Sequence, residues 1–189
     1  IKRELQAGQP RLIAAWLGAV ETLPYTDRQA PGTPVLPSLY AEVFTDARLR
    51  GSDAGDFALD PAGEQLAYLT AQNDPNPGYR TLTGRLAHLA AALRLTPAEL
   101  ADLIGSGSYA VVPDALSLDH LSILLRQVTL ARAAGITVRQ SLTLQRLTGI
   151  APVPDEPPDV EVAGRRILEF LDALETVRRS GSSIDELAW

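Results

Sequence analysis

Aliphatic side chains recur every three or four positions through most of the second half of this chain, a period that predicts helices. Leu82, Leu86, Leu89, Ala90 and Leu93 form one stripe, and Leu100, Leu103 and Ile104 form a second just beyond it. After Ser117, the residues Leu118, Leu121, Ile123, Leu124, Leu125, Val128, Leu130 and Ala131 leave little polar face. The spacing predicts the longest helix of the chain there, central and buried nearly all round. Leu142, Leu144 and Leu147 mark a partner helix ending at Gly149. Val162, Ile167, Leu168, Phe170, Leu171, Leu174 and Val177 mark one more, closed by Gly181.

Between these stripes one start signal repeats. Thr96-Pro97-Ala98-Glu99, Thr137-Val138-Arg139-Gln140 and Ser183-Ile184-Asp185-Glu186 each place Thr or Ser three residues before Glu or Gln, the pattern of a capping box. Their first residues lie 41 and 46 positions apart, a spacing that fits units made of two helices. Gly135 precedes the second box in the C-cap role.

The first half is less regular. Leu12, Ile13, Trp16, Leu17 and Val20 predict a helix from about Pro10 to Thr22. Pro24, Pro31, Gly32, Pro34 and Pro37 then favour irregular extended backbone over either regular element. A short helix from Ser38 to about Thr45 would present Leu39, Tyr40, Val43 and Phe44. Residues 51–78 read as a long ordered loop or a pair of turns anchored by Phe57, Leu59, Leu66, Tyr68 and Leu69. Gly105-Ser106-Gly107-Ser108 reads as a flexible turn, and Tyr109 to Val112 as a brief extended piece. Pro152, Pro154, Pro157 and Pro158 with Asp155 and Glu156 make a rigid acidic linker.

The expected class is all-α, an irregular bundle of paired helices with long Pro/Gly-rich loops and little or no sheet. The expected units are 1–36, an N-terminal helix and Pro-rich connector; 37–154, the main helical domain; and 155–189, the start of a further helical unit. The chain opens on Ile1 without the apolar core of a signal peptide, and the helix opened by Ser183 meets the last residue after about two turns. The sequence therefore reads as a piece of a longer polypeptide.

Charge narrows the function classes. The 189 residues carry a net charge of −6, with 16 Arg and a single Lys, Lys2. Without a basic stripe no nucleic-acid partner is expected, because phosphate neutralisation supplies most of that affinity. No run reaches the roughly 18 to 20 apolar residues that cross a bilayer, so direct membrane insertion by this segment is not expected. The absence of Cys and Met excludes disulfides, thiolate zinc sites and Cys nucleophiles.

No other arrangement points to chemistry. His88 and His120 lie on different helices with no metal-ligand spacing. Asp53, Asp56 and Asp60 lack the alternation and final Glu of a calcium loop and read as turn-holding acids. Glu169, Asp172 and Glu175 read as the solvated face of one helix, and Arg165, Arg166, Arg178 and Arg179 as dipole and ion-pair support. The 105–108 turn lacks the Lys-Ser/Thr of a phosphate loop. The expectation is a scaffold: not an enzyme, with no cofactor, no metal and no catalytic residue.

Several segments resemble one family. Leu116-Ser117-Leu118-Asp119-His120-Leu121-Ser122-Ile123-Leu124-Leu125-Arg126, then Leu130 to Thr137, then Leu147-Thr148-Gly149-Ile150-Ala151-Pro152, resemble the helical shell of the A subunits of bacterial Tc (toxin complex) insecticidal toxins. Phe170, Val177, Ser180, Gly181, Ser183, Ile184, Glu186 and Leu187 are similar to a later element of that shell. Pro37-Ser38-Leu39-Tyr40 through Phe44, and Asp56-Phe57-Ala58-Leu59, are similar to two earlier segments. The likeness covers roughly residues 37–189 and rests on helix-packing positions. Ala151 departs from the family's acid after Gly-Ile, and Ser182 from its aromatic before the last cap.

The resemblance implies a large secreted or cell-surface bacterial protein, a homo-pentamer that binds host cells and delivers a toxic enzyme through a central channel. This segment would belong to the outer α-helical shell, with the rest of its polypeptide and neighbouring protomers as partners and the host cell surface reached through the parent protein. The alternative reading is a free-standing helical adaptor that binds a partner peptide or helix between its helix pairs.

Overall fold

The structure, a computed structural model, describes residues 20–26, 34–49, 54–70, 80–104, 112–153 and 160–187. These build an all-α fold with eight α-helices: α1 (Leu39–Phe44), α2 (Ala67–Thr70), α3 (Leu86–Leu93), α4 (Pro97–Leu103), α5 (Leu118–Ala133), α6 (Val138–Thr148), α7 (Val160–Ser180) and α8 (Ile184–Leu187). Short 3-10 turns at Ala47–Leu49, Ala54–Phe57 and Thr83–Arg85 join the helices of the first half.

The helix expected over 10–22 lies outside the described residues except for Val20 to Thr22, which are not helical. In the Pro-rich stretch the irregular backbone gives way to a small ribbon, β1 (Tyr25–Thr26) paired antiparallel with β2 (Pro34–Leu36). Pro34 is compatible with it because proline is tolerated at the first residue of a strand. Of the loop expected over 51–78, the described residues 54–70 form a 3-10 turn, an antiparallel bridge between Leu59 and Leu66, and then α2, and the rest lies outside the described residues. Asp60 holds the tip of that hairpin, its carboxylate accepting from the Glu64 amide at 2.8 Å. Of the expected anchors Phe57, Leu66 and Tyr68 are buried, but Leu69 points to solvent at 42% exposure.

The core is continuous from Val20 to Ile184 in α8. In the first half Phe57 is its centre: its ring stacks on His88 at 4.0 Å and on Phe44 at 6.5 Å, and its carbonyl accepts the Tyr40 hydroxyl at 2.7 Å. In the second half α5 supplies the centre. Leu121, Leu124, Val128 and Ala131 have no exposed surface at all. The Ser122 hydroxyl accepts the Val20 amide at 2.7 Å, tying the N-terminal segment onto the same helix. At 16 residues α5 is shorter than α7, which has 21, so the helix expected to be longest is instead the most buried.

The helix pairs α3–α4 and α5–α6 are each packed internally, and they stack through their second members: α4 lies on α6, and α6 lies on α7 and α8. A polar link sets the register of α5 against α6, where the Gln145 amide donates to Gln127 at 3.0 Å. Among the described residues no single helix is long and apolar enough to cross a membrane. The apolar surface of α5 is instead spent on the core, where each fully buried Leu or Val contributes roughly 1.5–3 kcal/mol.

Candidate functional site at the helix joints

The three joints between first and second helices share one construction. All three capping boxes form. The Thr96 hydroxyl accepts from the Glu99 amide at 3.2 Å while the Glu99 carboxylate accepts from the Thr96 amide at 2.9 Å. The Thr137 hydroxyl accepts from the Gln140 amide at 3.1 Å, and the Gln140 side chain accepts from the Thr137 amide at 3.1 Å. At the third joint the Glu186 amide donates to the Ser183 hydroxyl at 3.2 Å, and the Ser183 amide to the Glu186 carboxylate at 2.7 Å. Each reciprocal pair satisfies two backbone donors that a helix start leaves open.

Two residues before each box sits a residue with positive φ: Arg94 at 51°, Gly135 at 68° and Gly181 at 78°. At the first two joints the backbone closes a Schellman motif, with Leu95 N–H on the Ala90 carbonyl at 2.9 Å and Ile136 N–H on the Ala131 carbonyl at 3.0 Å. Arginine at the first of these positions takes a conformation that glycine adopts without steric cost.

An arginine relay joins one pair to the next. Arg132, three residues before Gly135, reaches back to the end of α3, where its guanidinium donates to the carbonyls of Leu93 and, at 3.1 Å, Arg94. Arg178, three residues before Gly181, reaches back to the end of α5 and donates to the Ala134 carbonyl at 2.7 Å. A cation at a helix C-terminus also meets the negative end of the helix dipole. Burial first, then the nearby Arg94 charge, hold the Arg132 guanidinium below the ordinary arginine value. Between the second and third boxes the Gln140 amide donates to Asp185 at 2.9 Å.

Hydrogen bonds from the box amides lower the pKa of Glu99 and Glu186, from the Thr96 and Ser183 backbone first and their hydroxyls second. A depressed carboxylate contributes stability above its unfolded value of about 4.3 and loses it as pH falls through the folded value. The middle box, built on Gln140, has no such dependence. Acidification from about pH 5 to 3 should therefore lower the exchange protection factors of the Thr96 and Ser183 amides, which donate to those carboxylates, before that of the Thr137 amide, which donates to Gln140. Exchange followed by NMR checks the order. Thr137→Ala removes the middle cap and is expected to lose about 0.5–2 kcal/mol in urea unfolding. No loss would make that cap incidental to the fold.

The residues weighed from sequence for chemistry take structural roles. His88 is buried in α3 with Nε2–H donating to the Phe44 carbonyl at 2.9 Å, whereas His120 Nδ1–H donates to the Ala115 carbonyl at 2.7 Å at the start of α5. Asp56 pairs with Arg80 at 3.0 Å and with Arg85, which pins the 3-10 turn Ala54–Phe57 to the segment leading into α3. Asp53 and the 105–108 turn lie outside the described residues, as do Tyr109 to Val111, while Val112 bridges Ile104. Glu169 and Glu175 pair with Arg165 and Arg179 one helical turn away on exposed α7, at 3.9 and 3.0 Å. Arg179 is thus an ordinary surface ion pair, but Arg178 is an interhelical tie. Nothing local in the sequence distinguishes the two.

Among the described residues no group of three or more His, Asp or Glu converges to hold a metal ion. A groove of about 230 Å³ between α1 and α3 is lined by Glu42, Val43, Asp46, Arg48, Ala92 and Arg94 among others. Its charges are mixed: the Arg48 side chain, then the Arg48 backbone amide, hold the Asp46 carboxyl down at about 2. Comparison with protein-family models, with curated proteins and with solved structures finds no match for this chain.

Proposed function

We propose that this chain is a non-enzymatic structural module of a large Tc-like toxin A component, part of an α-helical shell around a translocation channel. In that reading it works mechanically within a secreted or cell-surface pentamer, packing against the rest of its polypeptide and neighbouring protomers and supporting host-cell binding and toxin delivery. The observation that supports it is the stack of capped helix pairs, because two of the segments resembling the toxin shell, Leu130 to Thr137 and Val177 to Leu187, are two of its three joints. Side chains that a site would use are spent on holding helices: His88, Asp56 and Arg178 each bind backbone or a neighbouring ion.

An antibody raised against residues 1–189 tests the proposal on cells and culture fluid of the producing organism. The expected result is a secreted band many times larger than 20.2 kDa. A cytosolic band near 20.2 kDa would refute it and favour the adaptor.

A further inference from the structure

Arg126 is the one buried arginine among the described residues, 6% exposed in the middle of α5. Its side chain folds back along the helix, and its Nε–H donates to the Ser122 carbonyl at 3.3 Å. That is its only hydrogen bond among the described residues, and no carboxylate among them lies within ion-pair distance. Arg132 and Arg178 are more exposed, yet each gives a terminal nitrogen to a helix-end carbonyl. The terminal nitrogens of Arg126 have no such acceptor. They still touch solvent, because the fully enclosed side-chain atoms left without a partner among the described residues are Glu21 Oε2 and Gln127 Nε2. The guanidinium fork therefore stands at a narrow opening on the face of α5 that carries Asp119, Ser122 and Arg126.

Burial, partly offset by the Asp119 charge, holds the Arg126 guanidinium below the ordinary arginine value. A cation taken out of water without a partner costs stability until an anion is paired with it. We propose that the Arg126 fork is a binding site for a small monovalent carboxylate with an aliphatic body. The planar guanidinium presents parallel N–H donors that match the two oxygens of a carboxylate. Asp119 lies two turns earlier on the same face, so the double charge of a phosphate would meet more repulsion there than a single charge does. Ile123 and Leu130, both buried, flank Arg126 on the neighbouring turns of α5 and favour an apolar body over a polar one. The site does not depend on any toxin role.

The test is thermal unfolding of the full chain in sodium butyrate, with sodium chloride and sodium phosphate at equal ionic strength as comparisons. Relative to chloride, butyrate at about 0.1 M is expected to raise the wild-type midpoint by about 3 °C or more, with a saturating concentration dependence, and phosphate to raise it less. Arg126→Met keeps the length of the side chain and removes its charge. In chloride this variant should unfold no earlier than the wild type, because it no longer buries an unpaired cation, and butyrate should leave its midpoint unchanged. A wild-type midpoint that does not respond to butyrate overturns the proposal, as does an equal response in both proteins or a larger response to phosphate. An Arg126→Met chain that is less stable in chloride, or unfolded, also overturns it, since the guanidinium would then already be compensated within the protein.

Discussion

Phe57→Ala is expected to lose about 3–5 kcal/mol of unfolding free energy, the largest single effect in the first half of the chain. The side chain is fully buried, stacked between His88 and Phe44, and such aromatic contacts add roughly 0.5–1.5 kcal/mol each beyond the area they bury. Removing the ring also loosens the backbone that accepts the Tyr40 hydroxyl, a phenol that burial holds in its neutral form. The segment 54–70 has little regular structure of its own, so its attachment to α1 and α3 depends on this residue. Urea unfolding checks the loss, and proteolysis near Asp60 should accelerate with it. A cost below about 1 kcal/mol would mean that the irregular segment is not part of the core.

Leu124→Ala is the matching change in the second half, with an expected loss of about 2–5 kcal/mol. Leu124 lies in the middle of α5 with no exposed surface, on a helix whose neighbours Leu121, Val128 and Ala131 are equally enclosed. Little room exists for the surrounding helices to collapse into the cavity, which places the cost toward the upper part of that range. Leu168→Ala is the control. Leu168 is 63% exposed on α7, and its removal should change stability by less than about 0.5 kcal/mol. Equal losses at the two positions would contradict the burial pattern.

These two residues mark where the sequence was legible and where it was not. The three capping boxes were readable because every group that forms them lies within four consecutive residues, and so were the C-terminal glycines. Leu124 was readable because α5 is apolar on nearly every side. Leu168 marks its amphipathic helix, as expected, but not the buried face of that helix. It lies two residues from Phe170, roughly 200° around the axis, so an apolar residue there faces away from the core. The helix over 67–70 and the ribbon strands at 25–26 and 34–36 were missed because four, two and three residues carry no measurable period.

The interhelical ties were not legible at all. Arg178 and Arg179 are adjacent in sequence, yet one caps a helix 44 residues away and the other pairs with Glu175 one turn back. Only the alignment of the joints reveals a signal, an arginine three residues before the left-handed glycine in two of three copies. The burial of His88 was likewise decided by a long-range partner, the Phe44 carbonyl, which its Leu-flanked position does not indicate.

The direct measurement is a comparison of three arginine variants by urea unfolding. Arg132→Ala and Arg178→Ala each remove the donor to helix-end carbonyls and are expected to lose about 1–3 kcal/mol. Arg179→Ala, at an exposed pair, should lose less than about 0.5 kcal/mol. Losses that set Arg132 and Arg178 apart from Arg179 would establish a stack of equivalent units tied by the same contact. Arg178 behaving like Arg179 would mean that the helix pairs merely lie beside one another and that the repeat has no structural meaning.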